Sequence, residues 1–582
     1  MKSRRVFLSF LALIILFLVS YLITRREHAD EVFVNGIVYT VDSGFHMAGA
    51  FAVRDGRIAG VGTTDEILRD FQPEKTTDLE GQTVLPGLID AHAHITSLGI
   101  SRLTVDLFGA ATEEEAVRRV ASRVKNLKPG QWVRGRGWNQ NLWPSKSFPH
   151  RSMLDKVSPD NPVILSRIDG HAIWVNSKAL EIAGVTASTP DPDGGRILKD
   201  RSGNPTGIFV DNAELLIEKY LPLRSHDELR DAWLAAQEEC LSLGLTTVHD
   251  MGVDLQDLAA LQEIIDEGQL RLRVYAAIGG PGETWESYRQ QGPVIGGAGD
   301  RLTVRALKLY ADGALGSRGA ALIEQYSDEP DNRGLTVTSK DELYTLTREA
   351  IDHGFQVCVH AIGDRGNNIA LNVYEKALED AGEGDYRLRV EHAQVLDEAD
   401  IPRFKALSVI PSMQPTHCTS DMYWAEARLG PLRVKGAYAW RSLLKSGVYI
   451  PGGSDFPVEN PDPIKGIYAA LTRQDVDGHP RNADDVRDHF QLSAAGLVDD
   501  SDFDGGWYAS QRMTFEEAIR SFTIWAARAA FEEEKKGSIE AGKLADFIIL
   551  SSSIDPSNPA SWLETSVVST YSGGERVFHS QR

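Results

Sequence analysis

At 582 residues the chain is too long for a single core of ordinary size, since domains of about 100–200 residues are usual and α/β barrels run somewhat larger. Its 42% hydrophobic and 25% charged residues are those of a folded globular protein. Acidic residues outnumber basic ones 83 to 61, giving a net charge of −22 without a basic patch, which argues against a nucleic-acid partner. The three cysteines, Cys240, Cys358 and Cys418, are too few and too scattered for a disulfide framework or a thiolate metal cluster.

In chain order, Lys2, Arg4 and Arg5 precede an apolar run from Val6 to Ile23, and Arg25 and Arg26 follow it. A helix of that length spans about 27 Å, close to the hydrocarbon core of a bilayer. Residues 1–27 are therefore expected to form an N-terminal transmembrane helix, with the rest of the chain membrane-anchored and extracytoplasmic. A cleaved signal, giving a secreted protein, is the alternative, although no A-x-A-like cleavage site lies nearby. Residues 31–84 predict short strands with turns at Asn35-Gly36 and Asp55-Gly56. Residues 537–582 have the same style, so the two ends predict one composite β-sandwich.

Residues 85–536 alternate apolar strands with amphipathic helices. Strands are expected at 244–249, 271–278, 303–310, 355–360, 388–392, 407–410 and 448–451. A helix is expected around 226–242, and Ser339-x-x-Glu342 reads as a capping box opening another. The fold class is thus α/β, a (β/α)8 TIM-type barrel. A doubly wound sheet would want a glycine-rich phosphate loop, which is absent. Residues 131–220 and 475–512 read as insertions.

Leu88-Ile89-Asp90-Ala91-His92-Ala93-His94 ends an apolar strand in two histidines. Residues i and i+2 of a strand project to one face, so His92 and His94 can grip one ion with Zn–N distances of ~2.0–2.1 Å. Alone, the pair would pass for two surface histidines. His360, His392 and Asp455 also end apolar strands, however, and barrel enzymes draw their catalytic groups from the C-terminal ends of strands. Lys308 lies inside the apolar Leu307-Lys308-Leu309. It is read either as the ion-pair partner of Asp312 or as a lysine carboxylated by CO2 into a carbamate. His249 and Asp250 end another strand and are expected to support the site. His171, Asn176, Trp138, Asn139, Asp312 and Arg318 are candidates for touching a ligand, although the Trp138–Trp143 run more often packs than binds.

Taken together, Leu85-Pro86-Gly87-Leu88-Ile89-Asp90-Ala91-His92-Ala93-His94, Gly135-Arg136-Gly137-Trp138-Asn139-Gln140, Lys308 through Arg318, His360 through Asp364, Glu391-His392-Ala393-Gln394, Ser454-Asp455-Phe456-Pro457 and Gly537 through Asp546 resemble the amidohydrolase superfamily. The likeness is to its third family, the YtcJ-like branch that includes N-substituted formamide deformylases, and runs from about residue 31 to the C-terminus. The resemblance implies one or two divalent ions, zinc being expected. His92 and His94 would hold the first ion, His360 and His392 would hold a second or complete the first, and Lys308 would stand at the bridging position. Asp455 would touch metal and shuttle the proton. It implies hydrolysis of a C–N bond of amide or N-formyl type in a small molecule, by water whose pKa the metal lowers from 15.7 toward about 7. A deaminase, lactonase or phosphoesterase on the same scaffold would differ only in the leaving group, and a homo-oligomer is compatible with the sequence. A non-catalytic binding protein would have lost a ligand, and none of the expected ligands is missing.

Overall fold

The computed structural model describes residues 26–580 apart from Leu103, Leu223 and Val498. At its centre a parallel sheet curls almost shut. Its strands are β1 (Leu88–Ala93), β2 (Leu245–Val253), β3 (Arg273–Gly279), β4 (Leu302–Tyr310), β5 (Gln356–Ala361), β6 (Arg389–His392) and β7 (Ile410–Ser412). Each pairs in parallel with the next. Strands covered on both faces read as continuous apolar runs rather than alternating ones, and β1 and β5 are buried along their whole length.

The eighth position is occupied without a full ladder. Met413 bridges Gly452 in parallel, the Ala91 N–H donates to Gly452 O at 2.9 Å and the Met413 N–H to Pro451 O at 3.0 Å. The expected strand at 448–451 is thus displaced toward 451–453 and shortened, because Pro451 has no N–H to give a ladder. The helices follow their caps. Ser225 and Glu228 close a capping box on His226–Ser242, and Ser339 accepts the Glu342 N–H to open Lys340–Asp352.

A second sheet stands over the mouth of the barrel, with strands Val105–Asp106, Val133–Trp138, Val163–Arg167, Ala172–Val175, Pro205–Asp211 and Gly195–Lys199 in that spatial order. It begins at Val105, earlier than the composition change near residue 131 suggested. Trp138, Trp143 and Trp174 pack its core with ring centroids 6.1–6.3 Å apart.

The terminal regions build two sheets. One comes wholly from residues 27–78, and the other joins 37–39, 47–48 and 83–86 to 547–550, 567–572 and 575–579. Asp55-Gly56 does turn a hairpin, between Ala50–Arg54 and Arg57–Gly62. Asn35-Gly36 does not: Glu27–Val34 and Ile37–Tyr39 lie in different sheets, and the dipeptide carries the chain across.

The transmembrane expectation is corrected. No helix among the described residues is long and apolar enough to cross a membrane. The longest, Pro415–Arg433, contains Asp421, Glu426 and Arg428. The apolar run 6–23 lies outside the described residues, and the membrane-anchored, extracytoplasmic placement that rested on it is withdrawn.

Candidate active site

The ends of the barrel strands converge on a cavity of about 500 Å³ lined by His92, His94, Lys308, His360, His392 and Asp455. Strand alternation alone would send neighbouring residues to opposite faces. It accounts for His92 and His94, two apart on and just after β1, and for Arg389 and Glu391 on β6. His392 follows Glu391 directly and still reaches the cavity because the chain turns left-handed there, with φ 73° at His392 and 43° at Ala393. Asp455 is placed likewise, at φ 59°. Such non-glycine conformations cost about 1–3 kcal/mol and gather at functional sites. Gly453 is required for close approach: a Cβ there would lie 2.6 Å from the His92 nitrogen. Asp90 fastens this corner by accepting from the His92 N–H at 3.0 Å and from the Ser454 hydroxyl at 2.6 Å. Burial pushes its carboxyl up to about 7 against those hydrogen bonds.

The imidazoles are oriented from behind. His92 Nδ1 lies 2.6 Å from Glu391 Oε2, leaving Nε2 toward the cavity. Glu391 is itself locked by the buried Arg389, whose Nε lies 2.7 Å from Oε1. That guanidinium also donates to Ala91 O at 2.6 Å and Ser412 Oγ at 2.9 Å and meets His249 Nδ1 at 3.1 Å, so it ties β1, β2, β6 and β7 together. His392 Nδ1 lies 2.8 Å from Gln414 Oε1. Burial, with the Lys308 charge second, holds His92 down at about 4. Burial first, then neighbouring imidazoles, holds His360 and His392 well below the ordinary histidine value. All three are neutral near pH 7, the form that ligates metal. Asp455 remains ionised: surrounding imidazoles hold it well below the usual carboxylate range despite its burial.

Two triads have ligand atoms within 4.8 Å of one another: His92, His94 and Asp455, and His392, His417 and Asp455. Asp455 Oδ1 lies 3.1 Å from His94 Nε2 and 3.5 Å from His92 Nε2, and Oδ2 lies 3.7 Å from His417 Nε2. Oδ1 and His417 Nε2 are buried without a hydrogen-bond partner. Buried polar atoms are ordinarily satisfied, so nitrogen-rich triads sharing an unsatisfied carboxylate oxygen fit a divalent cation. Lys308 Nζ is 3.4 Å from His92 Nε2 and is not ion-paired with Asp312 among the described residues. His360 lines the same cavity but belongs to neither triad. Its Nε2 lies 3.4 Å from Gly313 O.

The upper sheet supplies the opposite wall. His171 Nδ1 lies 2.7 Å from Asp211 Oδ1, and the His171 ring is 4.9 Å from that of His360. Burial works against a charged His171, but the Asp211 hydrogen bond and charge prevail and raise it. The glycines after β4 make room for these groups. A Cβ on Gly313 or Gly319 would come within 2.5 or 2.4 Å of Asp211 Oδ2, and one on Gly316 within 2.9 Å of the Arg167 guanidinium. Asn139 lines the cavity and accepts from Arg167 at 3.1 Å.

Other candidates lie elsewhere. Trp138 donates to Leu165 O at 2.8 Å inside the tryptophan cluster. Asp312 accepts the N–H groups of Ala321, Ile362 and Gly363 at 2.8–2.9 Å and braces the loop after β5. Arg318 pairs with Asp328 at 2.9 Å, and Asn176 caps the helix Ser177–Ala183. None of the four lines the cavity. Sequence reasoning missed His417, Gln414, Arg389 and Asp211. His417 opens a helix three residues after Gln414, and its only signal was a histidine shortly after an apolar strand.

The amidohydrolase family model matches residues 75–578. The chain is 36% identical to Protein LONG AFTER FAR-RED 3 of Arabidopsis thaliana, covering 94% of this chain and 92% of that one. It is 32% identical to amidohydrolase YtcJ of Bacillus subtilis, covering 93% and 98%. It is 28% identical to N-substituted formamide deformylase of Arthrobacter pascens, covering 90% and 93%. Among solved structures, a metal-dependent hydrolase of Pyrococcus horikoshii superposes with a TM-score of 0.69 at 28% identity, covering 90% of this chain and 98% of that one. A metal-dependent barrel hydrolase acting on a small molecule accounts for the architecture and the site alike, and the chain belongs to the amidohydrolase family.

Proposed function

We propose that the protein hydrolyses a carbon–nitrogen bond of amide or N-formyl type, yielding a carboxylic acid and an amine. The observation that carries this reading is Asp455, an ionised, unsatisfied carboxylate shared by His92 and His94 on one side and His392 and His417 on the other. The name of the Arthrobacter relative favours the same bond. His92, His94, His392, His417 and Asp455 would hold one or two ions, with His360 completing the set and zinc suiting imidazole and carboxylate donors. When bound, the metal supplies an acidified water and a Lewis acid for the carbonyl.

Asp455 accepts the proton of the attacking water and returns it to the leaving nitrogen as the C–N bond breaks. Glu391 holds His92 in the tautomer that presents Nε2, and Gln414 does the same for His392. Burial lowers Lys308 from its ordinary value, which leaves more of its free amine to add CO2 and lose a proton, forming a carbamate. His171, held by Asp211, and Asn139 face the substrate from the upper sheet.

The test is metal analysis of the purified protein coupled to amine release from a panel of N-formyl and N-acyl amines. Asp455→Asn is expected to lower turnover about 10²–10⁴-fold, and His92→Ala to lose metal. A metal-loaded enzyme that releases no amine from the panel, or full turnover by Asp455→Asn, would overturn the proposal.

A further inference from the structure

Arg389 is a cation enclosed beneath a site whose donors suit a cation. Barrel interiors are ordinarily filled by branched apolar side chains, yet Arg389, Glu391 and Ser412 are all fully buried there. A buried ion pair does not by itself stabilise a fold, since apolar packing of similar volume often does as well. The contacts of Arg389 point to another purpose. Its Nη2 reaches three oxygens: Ala91 O at 2.6 Å, Ser412 Oγ at 2.9 Å and Glu391 Oε2 at 3.0 Å. Its Nε lies 2.7 Å from Glu391 Oε1.

These oxygens lead to both triads. Glu391 Oε2 lies 2.6 Å from His92 Nδ1, and Ala91 is the residue before His92, so Arg389 fixes that ligand by its ring and by its backbone. Ser412 leads to the other triad. Its carbonyl accepts from Gln414 Nε2 at 3.3 Å, and Gln414 Oε1 lies 2.8 Å from His392 Nδ1. His392 itself occupies the left-handed turn, at φ 73°, three residues after Arg389. Such turns persist only where their surroundings over-determine them. One planar fork thus sets the lie of a ligand in each triad. A lysine ammonium, a point charge on a flexible stem, cannot reproduce that fork.

We infer that Arg389 is a positioning residue that couples the two triads, holding His92 through Glu391 and His392 through Ser412 and Gln414. This rests on the metal-site part of the proposed function and not on the bond cleaved. The probe is Co2+, read by chelator competition for affinity and by visible absorption for coordination geometry, with thermal melting alongside. Arg389→Lys is expected to weaken Co2+ binding about 10–100-fold, as loss of an outer partner does, and to change the cobalt spectrum. Ser412→Ala, which removes one hydroxyl remote from the ligand atoms, should weaken binding about 3–10-fold, the range of one hydrogen bond. Added to Arg389→Lys it should cost nothing more, because both changes break the same link. Variants that melt lower but bind Co2+ and absorb as the wild type does would show a purely structural arginine and overturn the inference. Unchanged affinity in Ser412→Ala overturns it even if Arg389→Lys does not fold. A wild-type protein that takes up no Co2+ overturns the metal-site reading as well, so the two failures are told apart.

Discussion

At the scale of single residues, the site depends on side chains that touch no substrate. Each cavity imidazole needs a partner on its far nitrogen, since outer partners set ring orientation and basicity. Gln414 does this for His392, so Gln414→Leu should weaken metal binding about 10–100-fold while costing only about 1–2 kcal/mol of stability. Competition with a chelator measures the first and thermal melting the second; unchanged metal affinity would remove Gln414 from the site. The sequence displayed His392 because it ends an apolar strand. It hid Gln414 and His417, because both follow a strand three residues long, and only barrel closure brings Gln414 to His392 and His417 to Asp455.

At the scale of elements, the loop after β4 and the Pro205–Asp211 strand of the upper sheet fit each other through glycines. Gly313 and Gly319 leave space for the Asp211 carboxylate, and Asp211 itself sits at φ 51°. Gly319→Ala should push Asp211 off His171 and lower turnover to the level of Asp211→Asn. The double variant should be no worse than either single one, because the two changes remove the same interaction. Additive losses in kinetic assays of the three variants would show that the glycine acts otherwise. The glycine-rich run after Lys308 was legible as a motif, but its partner lies a hundred residues earlier in the chain, so its purpose was not.

At the scale of the whole molecule, the barrel is clamped to the terminal sheet by a buried ion pair. Arg273 on β3 meets Asp546 at 2.7 and 2.9 Å, and both side chains are 3% exposed. Burial raises Asp546, but the charge and hydrogen bonds of Arg273 outweigh it and hold the carboxyl below its ordinary 3.8. A carboxylate depressed by folding stabilises above its unfolded pKa, and that contribution is lost as pH falls through the folded value. Asp546→Ala should therefore cost about 3–5 kcal/mol near neutrality, much of it from leaving Arg273 buried and unpaired. The wild-type share that Asp546 supplies should fade only below about pH 4. Melting curves from pH 7 to pH 3 check this, and a deficit that instead shrinks between pH 7 and pH 5 would contradict it.

What the sequence determined by itself was local. Strand–helix alternation specified a barrel because buried parallel strands must be apolar throughout, and histidines or aspartates at strand ends marked the C-terminal mouth because that is where such strands leave the core. Asp55-Gly56 and Ser339-x-x-Glu342 were likewise local hydrogen-bonding choices. Only the tertiary structure decided that Asn35-Gly36 crosses between sheets rather than turning a hairpin, that Trp138 and Arg318 spend their polar atoms away from the cavity and Asp312 braces the loop after β5, and that His417 faces the cavity. Those outcomes depend on which distant segments meet when the barrel closes and the upper sheet settles over it, and long-range packing leaves no periodic trace along the chain.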